Sequence, residues 1–350
     1  MFQAIEQLIF RNLTPLSIRH LPPPDIGKAS GLSAAVYRQL EQEFQTVPPL
    51  TMHHLNPSLM AGVWSACRES LIAGSDRALK EAVAVAVSKS NSCPYCVQAH
   101  TSMLRGLGEA AALEGVEGSG DGKDAFSEAV AWAAATGKKS AQNAVLPFSR
   151  EKAPAIMATA VLFHYINRMV NIFLDDTMMP IVGKVPLISD QALKIFSSVV
   201  SGRIVAVDVA PGVFLTAAPL TALPEAFFWA SGAPNVAGGL LRFASAVNAA
   251  SLTSVDVGVQ ELVLQAIAEW NGEPQEPGKA WLNRMVAALP EQKRPQARLA
   301  LLAAMASWAV DAAEIAAFKR TGLGDRDLLE TAAWGAYLAA ERIAGWIAPG

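Results

Sequence analysis

The sequence predicts an all-α protein made of two tandem, related helical bundles, of which the second is a degenerate copy of the first. Three observations lead to this prediction. Hydrophobic residues make up 52% of the chain and charged residues 17%, a composition that suits closely packed helices. Apolar residues recur at helical spacing, and no segment shows the regular short alternation of a sheet protein. Finally, one helical pattern returns late in the chain.

The predicted helices of the first half are marked by their ends. Asn56-Pro57 is a capping residue followed by a first-turn proline. Ser75-Asp76 starts the next helix, and Asn91-Ser92 starts a third, whose first turn contains Pro94. Two further helices are expected over residues 124–136 and 155–174.

The repeat is read from one register. The segment from Leu79 to Val87 resembles the segment from Val259 to Ile267. Within these segments Glu81 pairs with Glu261, and the same register continues to two further pairs, Asn91 with Asn271 and Pro94 with Pro274. At the positions that could carry chemistry the halves differ, since Cys93, Cys96 and His100 correspond to Glu273, Glu276 and Ala280.

This pattern predicts a domain organisation in three parts. A redox-active helical domain spans residues 1–185, and a degenerate helical repeat spans residues 233–350. Between them, residues 186–232 form a connecting segment that is punctuated by prolines. A short strand over Ile204–Val209 is conceivable within that segment.

Composition and charge exclude several function classes. The net charge is only −3, so the chain lacks the basic surface expected for nucleic acid or for an anionic membrane. No uninterrupted apolar stretch of about 20 residues predicts a membrane span. The start of the chain does not resemble a signal peptide. A Cys-x-x-Cys pair in a chain with three cysteines indicates the reducing cytoplasm and redox or metal chemistry.

The candidate site is the segment from Cys93 to His100 together with Glu81. On a helix, Cys93, Cys96 and His100 share one face because they are three and four residues apart. A helix start favours a thiolate, since unpaired N–H groups and the positive end of the helix dipole lie there. A nearby histidine can accept the thiol proton, and Glu81 on the preceding helix can orient that histidine.

Other interpretations of these residues are structural zinc and an ordinary core. Zinc could use Cys93, Cys96, His100 and Glu81, although such sites favour more cysteines and ligands on loops. Free cysteines and a hydrogen-bonded histidine are also common in protein cores. Covalent haem attachment is excluded, because Val97 rather than a histidine follows Cys96.

The spacing of Glu81, eleven residues, Cys93-Pro94-Tyr95-Cys96, three residues and His100 resembles the alkylhydroperoxidase D-like branch of the carboxymuconolactone decarboxylase superfamily. The segment Phe163–Arg168 resembles the closing helix of that family. The resemblance covers about residues 30–180, and residues 233–350 as a degenerate second copy. The lactone decarboxylase branch lacks the cysteine pair, so the pair argues against that activity.

The resemblance implies a thiol-dependent peroxidase that serves antioxidant defence. Cys96 would be the peroxidatic thiol, Cys93 the resolving thiol, and Glu81 with His100 the proton relay. Tyr95 stands where some family members have an assisting histidine, and His164 is expected either to line the pocket or to belong to the core. Arg168 is expected to pair with a carboxylate.

The implied partners are a small peroxide and a dithiol reductant, either a lipoyl-type or a thioredoxin-like protein. No metal, flavin or dinucleotide cofactor is expected, and no nucleic acid or membrane partner; a homo-oligomer is expected. Two alternatives stay open. One is a protein disulfide or adaptor oxidoreductase without peroxidase turnover, and the other is a non-catalytic helical binding protein that senses redox state.

Overall fold

A computed structural model describes residues 11, 14–118, 124–142, 144–177, 207–215 and 219–348 of the chain. The helices of the first half are α1 (Gly31–Glu43), α2 (Pro48–Thr51), α3 (Pro57–Cys67), α4 (Arg77–Ser90), α5 (Pro94–Leu107), α6 (Ala110–Glu117), α7 (Ala125–Ala135) and α8 (Ala153–Phe173). Those of the second half are α9 (Pro234–Ser254), α10 (Val257–Glu269), α11 (Ala280–Val286), α12 (Arg294–Met305), α13 (Ala312–Lys319) and α14 (Asp325–Trp346).

Short 3₁₀ turns connect these helices, and the described residues contain no β-strand. The 3₁₀ turns span Thr14–Ser17, Ile26–Lys28, Lys139–Ala141, Glu225–Ala230, Glu291–Lys293 and Ser307–Ala309. A single isolated β-bridge among the described residues joins Ile18 and Leu174. The predicted all-α fold is therefore confirmed.

The predicted helix starts have a clear physical basis. The side chain of Asn56 accepts hydrogen bonds from the N–H groups of Ser58 and Leu59 at 3.0 and 3.1 Å, and Pro57 needs no N–H partner at the first helical position. α3 continues into a π-helical turn, Arg68–Ile72. The next helix, α4, begins directly after Asp76, as predicted, but Asp76 makes no capping hydrogen bond with its side chain.

The centre of the molecule is formed by the first and last long helices of the two halves. α3 packs on α9, and α8 packs on α14. Small residues allow the close approach, because a Cβ atom added to Gly62 would lie 2.8 Å from the carbonyl oxygen of Arg242. An added Cβ at Gly239 would lie 2.9 Å from the carbonyl oxygen of Ser65. The site is thus built on helices that the second half holds in place.

The helices of the two halves correspond up to the position of the cysteine pair. Asn56-Pro57 and Ala233-Pro234 both begin a long helix, and α4 and α10 follow at Arg77 and Val257. The long closing helices α8 and α14 have 21 and 22 residues. The correspondence then fails, because α5 begins at Pro94, whereas Pro274 lies in a non-helical stretch that lasts until α11 begins at Ala280.

The domain boundaries at residues 185 and 233 stay a prediction, because residues 178–206 lie outside the described part of the chain. The same holds for most of the strand considered over Ile204–Val209, whose described residues 207–209 are not in a strand. The described remainder of the connecting segment contacts the first half. The N–H of Gly212, for example, donates to the Glu69 carboxylate at 2.9 Å.

α8 is the one helix among the described residues that is long and apolar enough, by length and composition, to cross a membrane. Within its most apolar window, 94% of the residues are buried inside the protein. A central core helix of this kind passes the same test. It carries the buried side chains of His164, Asn167 and Arg168, which belong to the polar network next to the cysteine pair.

Candidate active site

The chain between α4 and α5 makes a tight turn that places both cysteines at the start of α5. Ser92 adopts a positive φ of 51°, and the N–H of Cys93 donates to the carbonyl oxygen of Ser88 at 3.0 Å. Cys93 is the N-cap residue of α5, and Pro94 lies in its first turn. The helix therefore begins later than predicted from Asn91-Ser92, because these two residues belong to the turn.

Cys93 and Cys96 are free thiols that lie together in the interior. Each is only 1% exposed, and their side chains are joined by a hydrogen bond. Burial, together with the hydrogen bond to Cys93, raises the pKa of the Cys96 thiol well above its ordinary value, while a hydrogen bond with Asn167 acts in the opposite direction. The expected preference for a thiolate at the helix start is therefore opposed by burial, and the thiol needs a proton acceptor.

Glu81 and His100 form the predicted pair. The Nδ1 atom of His100 lies 2.5 Å from Oε2 of Glu81. Because a carboxylate only accepts, Nδ1 carries the proton in this bond, and Nε2 of a neutral His100 is left to accept one. Phe163 packs edge-on against the His100 ring, with 4.6 Å between the ring centroids. The imidazole is thus oriented by Glu81 and by an aromatic neighbour on α8.

Arg77 completes this pair and was missed in the sequence. Its Nε donates to Oε1 of Glu81 at 2.7 Å, so the fully buried Glu81 is held between Arg77 and His100. Burial favours the protonated acid, but Arg77 and His100 outweigh it and keep the pKa of Glu81 below its ordinary value. The signal was present, since Arg77 precedes Glu81 by one helical turn.

A buried amide network supports the cysteines from α8. The Nδ2 group of Asn167 donates to Ser88 Oγ at 3.0 Å, and the Nδ2 group of Asn91 donates to Asn167 Oδ1 at 3.0 Å. The side chain of Asn167 also bonds to Cys96. Asn167 therefore links Cys96 to α4 and to the turn before α5. The sequence predicts no role for this residue.

The same network reaches the second half through Arg168. Its Nε donates to the carbonyl oxygen of Ala304 at 2.9 Å, and its Nη1 donates to the carbonyl oxygen of His164 and to Asn91 Oδ1. The expectation of a carboxylate partner is wrong within the described residues, where the acceptors of Arg168 are neutral oxygens. Burial lowers the pKa of Arg168 to about 10, and this arginine crosses to the other half as an anchor of the turn.

His164 and Tyr95 belong to the core around the site. His164 is fully buried; its Nδ1 accepts from Asn91 at 3.1 Å, and its Nε2 lies 2.9 Å from Thr136 Oγ1. Burial and the charge of Arg168 hold the pKa of His164 well below its ordinary value. Tyr95 is 5% exposed, and burial raises the pKa of its phenol. Of the two positions predicted for His164, the structure favours the core.

The comparisons with known proteins fit this geometry. The profile of the carboxymuconolactone decarboxylase family matches residues 58–151. An alkyl hydroperoxide reductase of Mycobacterium tuberculosis is 32% identical to the chain over 337 residues, which cover 94% of this chain and 95% of that protein. The chain belongs to the carboxymuconolactone decarboxylase family. No solved structure matches it. The family predicted from the residues is thus confirmed.

In this family member the region matched by the profile contains Glu81, Cys93, Cys96 and His100, but it ends before α8. The match to the mycobacterial reductase extends over both halves. Among the described residues, no three His, Cys, Asp or Glu side chains come together in a way that could hold a metal ion. The arrangement consists of two adjacent thiols at the start of α5 and, one helical turn after Cys96, a histidine that Glu81 orients.

Proposed function

We propose that this protein is a thiol-dependent peroxidase that reduces small hydroperoxides through Cys96 and Cys93. One observation carries the proposal: two hydrogen-bonded thiols lie at a helix start, one turn before a histidine that a buried carboxylate orients at 2.5 Å. The mycobacterial relative named alkyl hydroperoxide reductase supports the same chemistry. The cysteine pair disfavours the decarboxylase activity of the family's other branch.

In the first step His100 accepts the proton of the Cys96 thiol, and Glu81 stabilises the resulting imidazolium. The ionised Glu81 suits this role because its pKa lies below the ordinary value. The Cys96 sulfur then attacks the terminal peroxide oxygen, the O–O bond breaks, and the alkoxide takes the proton from His100 to leave as an alcohol. Cys96 becomes a sulfenic acid.

In the second step the Cys93 thiol attacks the sulfur of the Cys96 sulfenic acid, which releases water and forms a disulfide. The hydrogen bond between the two side chains places them for this reaction. An external dithiol then reduces the disulfide and is itself oxidised. Both sulfurs are buried, so we expect a reductant with a slender dithiol arm, such as a lipoyl group. A thioredoxin-like protein would bind at the exposed residues next to the cysteines, Ser92 and Pro94.

The decisive experiment is a thiol titration and mass spectrometry of the reduced protein before and after one equivalent of an alkyl hydroperoxide. The expected result is loss of two thiols and of two hydrogen atoms, with the new disulfide between Cys93 and Cys96. Cys67 is a matched control, since it is also buried, and burial raises its pKa to about 12. It should stay reduced.

Three variants assign the roles. Cys93→Ser should accumulate a sulfenic acid on Cys96 after one oxidation, Cys96→Ser should not react, and Cys67→Ser should behave as the parent protein. A sulfenic acid on Cys93 in the Cys96→Ser variant, with turnover intact, would reverse the assignment. If the pair exchanges with disulfides but consumes no peroxide with an added dithiol, the protein is a disulfide oxidoreductase instead.

A further inference from the structure

A second concave site lies in the half that lacks the cysteines. A cleft of about 500 Å³ runs between α10 and α14, and the 3₁₀ turn at Lys139 forms part of its rim. Its apolar wall includes Leu264, Leu338 and Trp346, and its charged lining consists of Lys139, Glu341 and Arg342. None of these residues takes part in the chemistry proposed for the cysteine pair.

Arg342 lies on α14 and Arg168 on α8, the long closing helices of the two halves, and the two arginines differ in what they bind. Arg168 is 7% exposed, and its donors reach three oxygen acceptors. Arg342 donates through Nη2 to the carbonyl oxygen of Ala268, while its Nε is buried without a hydrogen-bond partner. It makes no ion pair among the described residues. A guanidinium beside a cleft without a counter-charge favours an anion there.

The neighbouring acid does not neutralise Arg342. The Glu341 carboxyl accepts a hydrogen bond from the Tyr337 hydroxyl at 2.9 Å. Glu341 forms no ion pair with Arg342 among the described residues, and burial raises the pKa of its carboxyl group above the ordinary value. Lys139 adds a second cation at the rim. The charged lining therefore carries a positive balance over an apolar wall.

We propose that this cleft binds an amphipathic organic monoanion, a carboxylate with a medium-length apolar body. The carboxylate would pair with Arg342 and be steered by Lys139, and the apolar body would lie against Leu264, Leu338 and Trp346. Arg342 is preorganised for this role, since it is held by Ala268 and lies over the Trp346 ring at 5.9 Å from the ring centroid. This site is independent of the cysteine chemistry.

Isothermal titration calorimetry of the full chain with octanoate tests the proposal, and octanol serves as the neutral probe with the same body. Octanoate should bind, and octanol should bind at least about tenfold more weakly, because octanol lacks the charge that would pair with Arg342. Arg342→Met, which keeps the apolar stem, should weaken octanoate binding to the level of octanol. Arg320→Met is the control, since Arg320 is exposed and does not line the cleft.

A second variant keeps the test valid if Arg342→Met does not fold. Leu264 is 48% exposed, so Leu264→Glu should fold and should repel the anion from the mouth of the cleft. Octanoate binding that survives both substitutions would overturn the proposal. Equal affinity for octanol and octanoate would reduce the site to an apolar groove, and absence of octanoate binding would also contradict it.

Discussion

The turn between α4 and α5 in the first half and the stretch between α10 and α11 in the second half start from similar sequence registers and end differently. In the first half, α5 begins at Pro94 and brings two thiols against α8. In the second half the chain stays non-helical from Trp270 to Lys279. The scaffold around them consists of long helices in the same order. The comparison teaches that the chemistry of this chain depends on how one short connection is built.

The buried supports behind the two connections differ in the same way. Behind α5, Asn91, Asn167 and Arg168 bond to one another or to neighbouring carbonyl oxygens. On the closing helix of the second half, Arg342 lines a cleft, and its buried Nε has no hydrogen-bond partner. Hydrogen-bonded donors rigidify the first site, whereas Arg342 donates only through Nη2 to the carbonyl oxygen of Ala268 and makes no ion pair among the described residues.

The largest effect expected from this comparison concerns Cys96. Only the first half is equipped with thiols in this register, so Cys96→Ser should reduce dithiol-dependent peroxide consumption to the rate of the uncatalysed reaction. Peroxide consumption at steady state, with an added dithiol, is the measurement. Turnover that persists in this variant would mean that another group in the chain reacts with peroxide. It would contradict the assignment of the chemistry to the first half.

A smaller effect is expected for Glu81, with a matched control in the other half. Glu81→Gln removes the charge that stabilises the His100 imidazolium, and the turnover rate should fall by a factor of roughly 10²–10⁴. Glu261 occupies the paired position on α10 and is exposed, so Glu261→Gln should leave turnover unchanged. Equal effects of the two substitutions on the turnover rate would contradict the relay.

Substitution of Arg77 should change the dependence of activity on pH. Arg77 and His100 keep the pKa of Glu81 below its ordinary value, so Arg77→Gln should raise that pKa and move the acid limb of the activity profile to higher pH. The depressed pKa stabilises the fold above the unfolded-state value, and this contribution is lost as the pH falls through the folded-state pKa. Arg77→Gln should therefore unfold at higher pH during acid titration. An unchanged acid limb would show that Arg77 has no influence on the relay.

The two arginines should differ in their contribution to stability. Arg168→Met removes the side-chain hydrogen bonds to three oxygen acceptors, and the free energy of unfolding should fall by roughly 2–4 kcal/mol. Arg342→Met should lower it by about 1 kcal/mol or less, since the guanidinium lies partly in solvent. Urea denaturation followed by circular dichroism measures both. Similar losses would indicate that the cleft does not leave Arg342 free.

The smallest effect expected is on the titration of Cys96. Asn167→Ala removes the hydrogen bond that lowers the pKa of this thiol, so the thiolate should appear at a higher pH. Thiolate absorbance in a variant that also carries Cys67→Ser and Cys93→Ser measures Cys96 alone. A shift of the titration toward lower pH would contradict this, because it would mean that Asn167 stabilises the protonated thiol rather than the thiolate.

The amino-acid sequence by itself determined the all-α class, the main helix starts and the pairing of Glu81 with His100. The helix starts rest on local chemistry, because the Asn56 side chain accepts from the first N–H groups of α3. The pairing of Glu81 with His100 joins two different helices and was predicted from the spacing of the motif. The tertiary structure decided how deeply the thiols are buried, and thereby the direction of the Cys96 pKa shift. It also decided that Arg168 binds the carbonyl oxygen of Ala304 rather than a carboxylate, and that Pro274 begins no helix. The reason is physical, because burial and hydrogen-bond partners depend on segments that are distant in the chain, and no local pattern encodes which of them will meet.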